Sequence, residues 1–135
     1  MKTDYIENMP AGTELDTLIA EKVMGEDKPT YTHDHDDVMQ IIYSDKKAWA
    51  CLPEYDNGDI CEWRPKPFSS SILLAWEVVE KIKEKGRLYL IVSDDIGYKA
   101  EILLSNPVPM AIAQCDSAPL AICRVALLAI EYESE

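Results

Sequence analysis

The residues best suited to metal chemistry lie in the segment His33-Asp-His-Asp-Asp37, which contains both histidines of the chain. In an extended segment alternate side chains project to one side, so His33, His35 and Asp37 would converge. Two imidazoles and a carboxylate suit zinc, nickel or non-haem iron. The segment lacks the fourth ligand and the distant histidine of H-x-H-x-D-H hydrolases. Two interpretations stay open: a metal-dependent hydrolase, or a solvated acidic loop with adventitious divalent metal and no cofactor.

A second set of residues is suited to binding a small anion. Three serines stand where a helix is predicted to begin, and free N–H groups and the helix dipole favour negative charge there. Capping of the helix explains the same serines without a ligand. Two tryptophans on less regular strands are candidates for a pocket wall or an exposed contact, and an arginine follows the second of them. The candidate ligand-binding residues are Ser69, Ser70, Ser71, Trp49, Trp63 and Arg64.

The element that must position these serines is a helix predicted over residues 67–86. The serines can cap its start, and Gly86 can end it in the left-handed conformation. One apolar face is predicted by residues at helical spacing, namely Ile72, Ala75, Trp76, Val79 and Ile82. We expect this face to cover a sheet formed by residues 87–115, with Trp76 in the core.

The first half of the chain is predicted to be less regular. Residues 1–12 are interpreted as a flexible leader, and Thr13 opens a short helix with a capping-box-like Thr13 and Asp16 pair. Residues 26–66 form an irregular strand and loop region. Within it Asn57-Gly58 predicts a two-residue turn, whose register places Cys51 opposite Arg64.

The second half predicts three antiparallel strands, over residues 87–92, 98–104 and 110–115, followed by a helix that Asp116 or Ser117 caps. From Leu120 to Ile130 this last helix is apolar on every side except at Arg124. Such a helix needs cover on more than one side. The sheet and a neighbouring helix could supply it, or the sheet and the same helix of a second subunit, which makes a homo-oligomer through this helix an expectation.

Arg124 itself has two interpretations. Its stem packs while its guanidinium reaches solvent, or it pairs with a carboxylate at an interface.

The predicted fold class is α/β of the α+β type. The order is α-(β-β-β)-α-β-β-β-α, with an antiparallel sheet sandwiched between helical layers. At 135 residues the chain is expected to be one domain, 1–135, with a core that needs neither disulfide nor metal.

Composition excludes several classes of function. With 25 acidic and 13 basic residues, the net charge of −12 argues against direct nucleic-acid binding. The chain lacks a long apolar run and a signal-peptide pattern, so no membrane association and a cytoplasmic location are expected. The cysteines form no C-x-x-C pair, and reduced thiols are expected. An acidic decoy for a nucleic-acid-binding protein remains an alternative.

Three stretches of the chain together resemble the phage ABA sandwich domain family. They are 13–25, 67–82 with Ala75-Trp-Glu-Val-Val-Glu80, and 116–129 with Ala118-Pro-Leu-Ala-Ile-Cys123. The chain departs from the family pattern by carrying Ser71 where Asp is usual, and by a longer acidic middle between Glu26 and Arg64. The resemblance implies a sheet between helical layers and a phage or prophage origin, without catalytic residues to carry over.

We therefore expect a non-catalytic binding protein that modulates the bacterial host or counters its defences, in the host cytoplasm. It would sequester a small anionic ligand such as a signalling nucleotide, or bind a host protein. The metal-dependent hydrolase at His33, His35 and Asp37 is the competing class.

Overall fold

The structure is a computed structural model, which describes residues 3–28, 48–50, 63–84, 86–93, 95, 97–103 and 109–133. Within these residues, helix α1 spans Thr3–Glu7, and helix α2 spans Thr13–Leu18 and continues as a π-helical segment over Ile19–Val23. The remaining elements are β1 (Trp49–Ala50), β2 (Arg64–Pro65), helix α3 (Ile72–Ile82), β3 (Arg87–Ser93), β4 (Gly97–Leu103), β5 (Pro109–Cys115) and helix α4 (Ala118–Glu133). The predicted α+β class and antiparallel pairing are confirmed.

Strands β3, β4 and β5 form an antiparallel sheet in that order. The register places Leu90 opposite Ala100, and Ala100 opposite Ala113 on the far strand. Small side chains on this face let helix α4 pack closely against β4 and β5. Tyr89 and Ile112, which alternate to the other face, are 44% and 43% exposed.

Helix α4 lies at the centre of the described structure. It contacts the sheet on one side and α1, α3 and the π-helical segment on others. From Leu120 to Ala129 every side chain except Arg124 is at most 8% exposed. The cover that its apolar sequence requires is thus supplied by the same chain. No helix in the described part of the chain is long and apolar enough to cross a membrane.

The N-terminal residues are not the flexible leader predicted from their polarity. Helix α1 contacts α4, and Ile6 and Met9 are buried at 0% and 2% exposure. Arg124 Nε donates a hydrogen bond to the Met9 carbonyl oxygen at 2.9 Å. Neither interpretation of Arg124 anticipated this bond, which ties the first turns of the chain to the central helix.

Helix α2 begins at Thr13 as predicted, but it has no capping box. Gly12 occupies the N-cap with φ of 149°, and no side chain caps the helix. The Asp16 carboxylate turns away from the helix end and accepts hydrogen bonds from Ser69. Since Ser69 is 53 residues away, local spacing could not predict this partner.

Helix α3 buries a different arc from the predicted one. Val78 replaces Trp76 in the buried face, together with Ala75, Val79 and Ile82. Ile72 and Trp76 are 49% and 56% exposed, so their assignment to the core is wrong. The reason is that α3 packs against α4, the π-helical segment and β3 rather than lying across the sheet, which turns the helix about its axis.

Gly86 follows α3, but its role differs from the predicted left-handed stop. It is absent from the glycines with positive φ, which among the described residues are Gly12, Gly25 and Gly97. A Cβ atom on Gly86 would lie 2.5 Å from the Leu103 carbonyl oxygen. A glycine is therefore needed because the chain passes close to β4.

Strands β1 and β2 pair antiparallel, with Trp49 opposite Pro65 and Ala50 opposite Arg64. The predicted register, with Cys51 opposite Arg64, is wrong by one residue. A shift of one residue moves every side chain to the other face of a strand. The predicted turn at Asn57-Gly58 lies outside the described residues.

Candidate functional site

A pocket of about 420 Å³ lies between helix α2 and the β1–β2 pair. Its volume falls within the roughly 300–1,000 Å³ typical of small-molecule sites. The described residues that line it are Thr13, Thr17, Glu21, Lys28, Trp49, Trp63, Arg64 and Pro65. The structure thus places Trp49, Trp63 and Arg64, three of the residues singled out from the sequence, around one cavity.

One wall of the pocket is the polar face of helix α2 and the π-helical segment that continues it. Thr13, Thr17 and Glu21 recur every four residues and so project to the same side. Leu15 and Ile19 lie on the opposite side and are fully buried. Sequence reasoning identified the apolar side of this helix but missed the polar one. The spacing of Thr13, Thr17 and Glu21 was the signal that could have found it.

The π-helical segment between Ile19 and Val23 shapes the end of this wall. Its wider turn is closed by the Met24 N–H, which donates to the Ile19 carbonyl oxygen at 2.9 Å. Gly25 then takes φ of 74°, a conformation that favours glycine. Short π-helical segments are rare and are frequent at functional sites. Here the segment carries Glu21 and directs the chain toward Glu26 and Lys28.

Glu26 fixes the position of Trp49. Its carbonyl oxygen accepts from Trp49 Nε1 at 2.8 Å, and its Oε1 accepts from the Ala48 N–H at 3.1 Å. Trp49 is only 3% exposed, and its indole donor is satisfied. The ring is therefore held as a rigid wall.

Trp63 is buried to a similar extent, at 4% exposure, but among the described residues its indole N–H is not hydrogen-bonded as that of Trp49 is. Trp63 Nε1 has no hydrogen-bond partner within the part of the chain that the structure describes. A buried N–H without an acceptor costs about 1–3 kcal/mol. The nitrogen atom is itself shielded from solvent, so an acceptor from a ligand would reach it only if the side chains around it moved.

The predicted serine site has a different occupant from the one expected. Ser69 is fully buried, and both its N–H and its hydroxyl donate to Asp16 Oδ1, at 2.8 and 2.7 Å. The Ser69 hydroxyl also accepts from the Gly12 N–H at 3.0 Å. The carboxylate of the chain itself thus fills the place assigned to an external anion.

The other two serines also lie away from the pocket lining. Ser71 is the N-cap of α3, and its hydroxyl accepts from the Leu74 N–H at 3.4 Å. Ser70 is exposed. Capping accounts for Ser71, in agreement with the simpler of the two interpretations.

Asp16 is a buried carboxyl group at 5% exposure. Burial raises its pKa above the ordinary value, while the two hydrogen bonds from Ser69 lower it in part. Burial also raises the pKa of the nearby Cys123 thiol, and the Asp16 charge adds to that effect. Cys123 is therefore held as a thiol within α4. Asp16, Ser69 and Cys123 thus connect α2, the segment before α3 and α4, and their role is structural.

The metal candidates His33, His35 and Asp37 lie outside the described residues, and so do Cys51 and Cys61. Among the residues that are described, no group of three or more His, Cys, Asp or Glu side chains could hold a metal ion. The histidine site remains a prediction from sequence.

Comparison with known proteins places the fold. A model of the phage ABA sandwich domain matches residues 17–127. The crystal structure of a phage protein from Bacillus cereus is similar over 90% of this chain and 94% of that chain, with a TM-score of 0.58 and 20% sequence identity. At that identity the likeness concerns the fold alone. No curated protein matches the sequence.

Proposed function

This chain belongs to the phage ABA sandwich domain family, as its sequence predicted. We propose that it is a ligand-binding protein of phage origin, whose pocket holds a small anionic ligand with an aromatic ring. A nucleotide is the chemistry that fits best. The protein would act by sequestering this ligand in the cytoplasm of the bacterial host, without catalysis. Removal of a signalling nucleotide would serve host modulation or counter-defence.

The side chains around the pocket support this class of ligand. Trp49 and Trp63 line the cavity with a small accessible part of each indole, since they are 3% and 4% exposed, and a planar base can pack against that part. Arg64 and Lys28 bring two cations to the same cavity, and a guanidinium can bind a phosphate in a bidentate manner. A ring and an anion on one molecule would engage both kinds of group.

Glu21 restricts the class of ligand that the pocket can bind. Its carboxylate lines the pocket and repels a bare phosphate, but it accepts hydrogen bonds from amino groups. A ligand that carries N–H donors on its ring and a phosphate at the other end would contact Glu21 and the two cations together. Inorganic phosphate satisfies the cations alone.

The observation that carries the proposal is the buried Trp63 N–H. It belongs to a pocket-lining residue and has no acceptor among the described residues. Native proteins pair nearly all such groups. Because this nitrogen is itself shielded from solvent, a ligand acceptor such as a base carbonyl or a phosphate oxygen would reach it through a shift of the side chains around it.

The test is calorimetric titration of the full chain with purine and pyrimidine mononucleotides, cyclic dinucleotides and inorganic phosphate. We expect at least one nucleotide to bind and phosphate to bind far more weakly. Trp63→Phe keeps an aromatic ring but removes the donor, and should weaken binding by about 3- to 10-fold, the value of one hydrogen bond. Arg64→Gln should weaken it further and reduce its salt dependence.

Trp76→Phe is the matched control, since it makes the same substitution at a tryptophan that does not line the pocket. It should leave nucleotide binding unchanged. The proposal fails if no nucleotide binds at millimolar concentration. It fails equally if binding is insensitive to both Trp63→Phe and Arg64→Gln in variants whose circular dichroism matches that of the wild type.

A further inference from the structure

Helix α3 presents three large apolar side chains to solvent. Leu73 is 81% exposed, Trp76 56% and Ile72 49%. They lie on adjacent turns of one side of the helix, opposite to the buried Val78 and Ile82. We call Ile72, Leu73 and Trp76 the α3 apolar surface.

This exposure is not a consequence of a weakly packed helix. Ala75 and Val78 on the other side are fully buried, and Ser71 caps the first turn. Isolated exposed apolar residues are ordinary, whereas contiguous apolar patches larger than a few hundred Å² mark interaction sites. Tryptophan is also enriched at the centres of protein interfaces.

Charge on the same side of the helix indicates the chemistry of the partner. At about 100° per residue, Glu80 projects between the directions of Trp76 and Leu73, one turn further along, and Glu77 lies beside it. Lys83 projects between the directions of Ile72 and Trp76 on this same side, and Lys81 lies about 80° beyond Leu73. Lys83 Nζ lies 3.0 Å from Glu80 Oε2, but both side chains are more than half exposed, so the pair contributes little.

The apolar surface is therefore followed by two glutamates and by the Lys83 that pairs with one of them, on a chain whose net charge is −12. A partner with apolar side chains flanked by Lys or Arg would be complementary to both features. Long-range attraction to so acidic a protein would also speed its association.

A second copy of the chain fits this surface poorly. Three side chains paired with the same three would bury on the order of 800 Å² in total, below the roughly 1,200–2,000 Å² of stable protein–protein interfaces. The contact would also bring two glutamate pairs and two chains of charge −12 together. A short amphipathic segment can bind through one apolar stripe, and its flanking charges can be opposite in sign to the glutamates, which those of a second copy cannot.

We propose that the α3 apolar surface binds a basic amphipathic helical segment of another protein. The segment lays its apolar residues over Trp76 and Leu73, and its Lys or Arg side chains meet Glu77 and Glu80. This surface is separate from the nucleotide pocket, which α3 does not line. The inference does not depend on what the pocket binds.

The test uses a synthetic peptide of leucine and lysine at helical spacing, and the same peptide with glutamate in place of lysine. With ¹⁵N-labelled tryptophan the protein gives three indole N–H signals, one for each tryptophan. The Trp76 signal is identified by its absence from Trp76→Phe. We expect the basic peptide to move the Trp76 signal, to leave those of Trp49 and Trp63 in place, and to bind more weakly at high salt.

Variants separate the apolar and charged contributions. Trp76→Ala should weaken peptide binding about 30-fold or more, as for a central interface tryptophan. The double variant Glu77→Lys with Glu80→Lys should weaken it at least about tenfold at low salt, whereas Glu7→Lys, at an exposed position of α1, should leave it nearly unchanged. Each variant is compared only if its melting temperature stays close to that of the wild type.

Three kinds of result would overturn the proposal. One comes from the titration itself, as an unmoved Trp76 signal or equal binding of the acidic peptide. Another is a dimeric mass by light scattering that becomes monomeric in Trp76→Ala, since a second copy would then occupy the surface. The third is a Trp76 already shielded from acrylamide in the free protein, which would mean that another part of the chain covers it.

Discussion

Helices α3 and α4 are both rich in apolar residues, but they have opposite surroundings. The sheet covers α4 on one side and other helices cover it elsewhere, so that its residues from Leu120 to Ala129 are buried apart from Arg124. Helix α3 buries one arc and leaves Leu73 and Trp76 in solvent. The comparison teaches that position in the layers, rather than apolar content, decides how much of a helix is covered.

The largest expected effect follows from this difference. Leu127→Ala in α4 should lower the free energy of unfolding by about 2–5 kcal/mol, because the side chain is fully buried and leaves a cavity. Leu73→Ala makes the same change on α3, where the side chain is 81% exposed, and should stay within about 0.5 kcal/mol. Urea unfolding of the two variants measures both values. Equal losses would show that α3 is as well covered as α4.

The second half of the chain was predictable because its signals are local. The strands over 87–92, 98–104 and 110–115 appear close to their predicted bounds, and the Ser117 hydroxyl caps α4 by accepting from the Leu120 N–H at 3.4 Å. Alternation, turn residues and capping act over a few residues, and sequence displays them directly.

The features that were missed depend on contacts between distant segments. The burial of Ile6 and Met9, and the pairing of Asp16 with Ser69, are set by tertiary packing that no local pattern records. The face of α3 was misassigned for the same reason, since apolar residues cover more than half of the helix and only its neighbours select the buried arc. In the pocket, Trp49, Trp63 and Arg64 were identified by chemical type, but their convergence needed the fold.

Asp16 of α2 helps to position α3, because it binds Ser69 in the segment that leads into that helix. Asp16→Ala leaves the buried N–H and hydroxyl of Ser69 without their acceptor, and should cost about 2–3 kcal/mol. Glu14→Ala, on the exposed side of the same helix, is the matched control and should change stability by less than about 0.5 kcal/mol. Chemical denaturation gives both numbers. A loss for Asp16→Ala no larger than for Glu14→Ala would mean that the link does not position α3.

The same carboxyl group predicts a dependence on pH. Its pKa is raised in the folded protein, so the folded state binds the proton more tightly than the unfolded state. The stabilisation from Asp16 is therefore complete below its ordinary pKa of about 3.9 and decreases as the pH rises through the raised value. The decrease amounts to about 1.4 kcal/mol for each unit by which the pKa is raised.

The measurement is the difference in free energy of unfolding between the wild type and Asp16→Asn, followed from pH 3 upward, so that the other carboxylates cancel. The stability of the wild type relative to the variant should decrease across this window. A difference that stays constant with pH would show that Asp16 does not retain its proton more strongly in the folded state.

A small expected effect, at Trp76, tests directly which face of α3 is buried. If Trp76 belonged to the core, Trp76→Ala would cost about 3–5 kcal/mol. Because its side chain is 56% exposed, we expect a loss below about 1 kcal/mol by urea unfolding, with the α-helical circular dichroism unchanged. A large loss would restore the tryptophan to the core and remove the α3 apolar surface. A small loss would mean that the indole contributes little to folding and is accessible for the contact proposed for the α3 apolar surface.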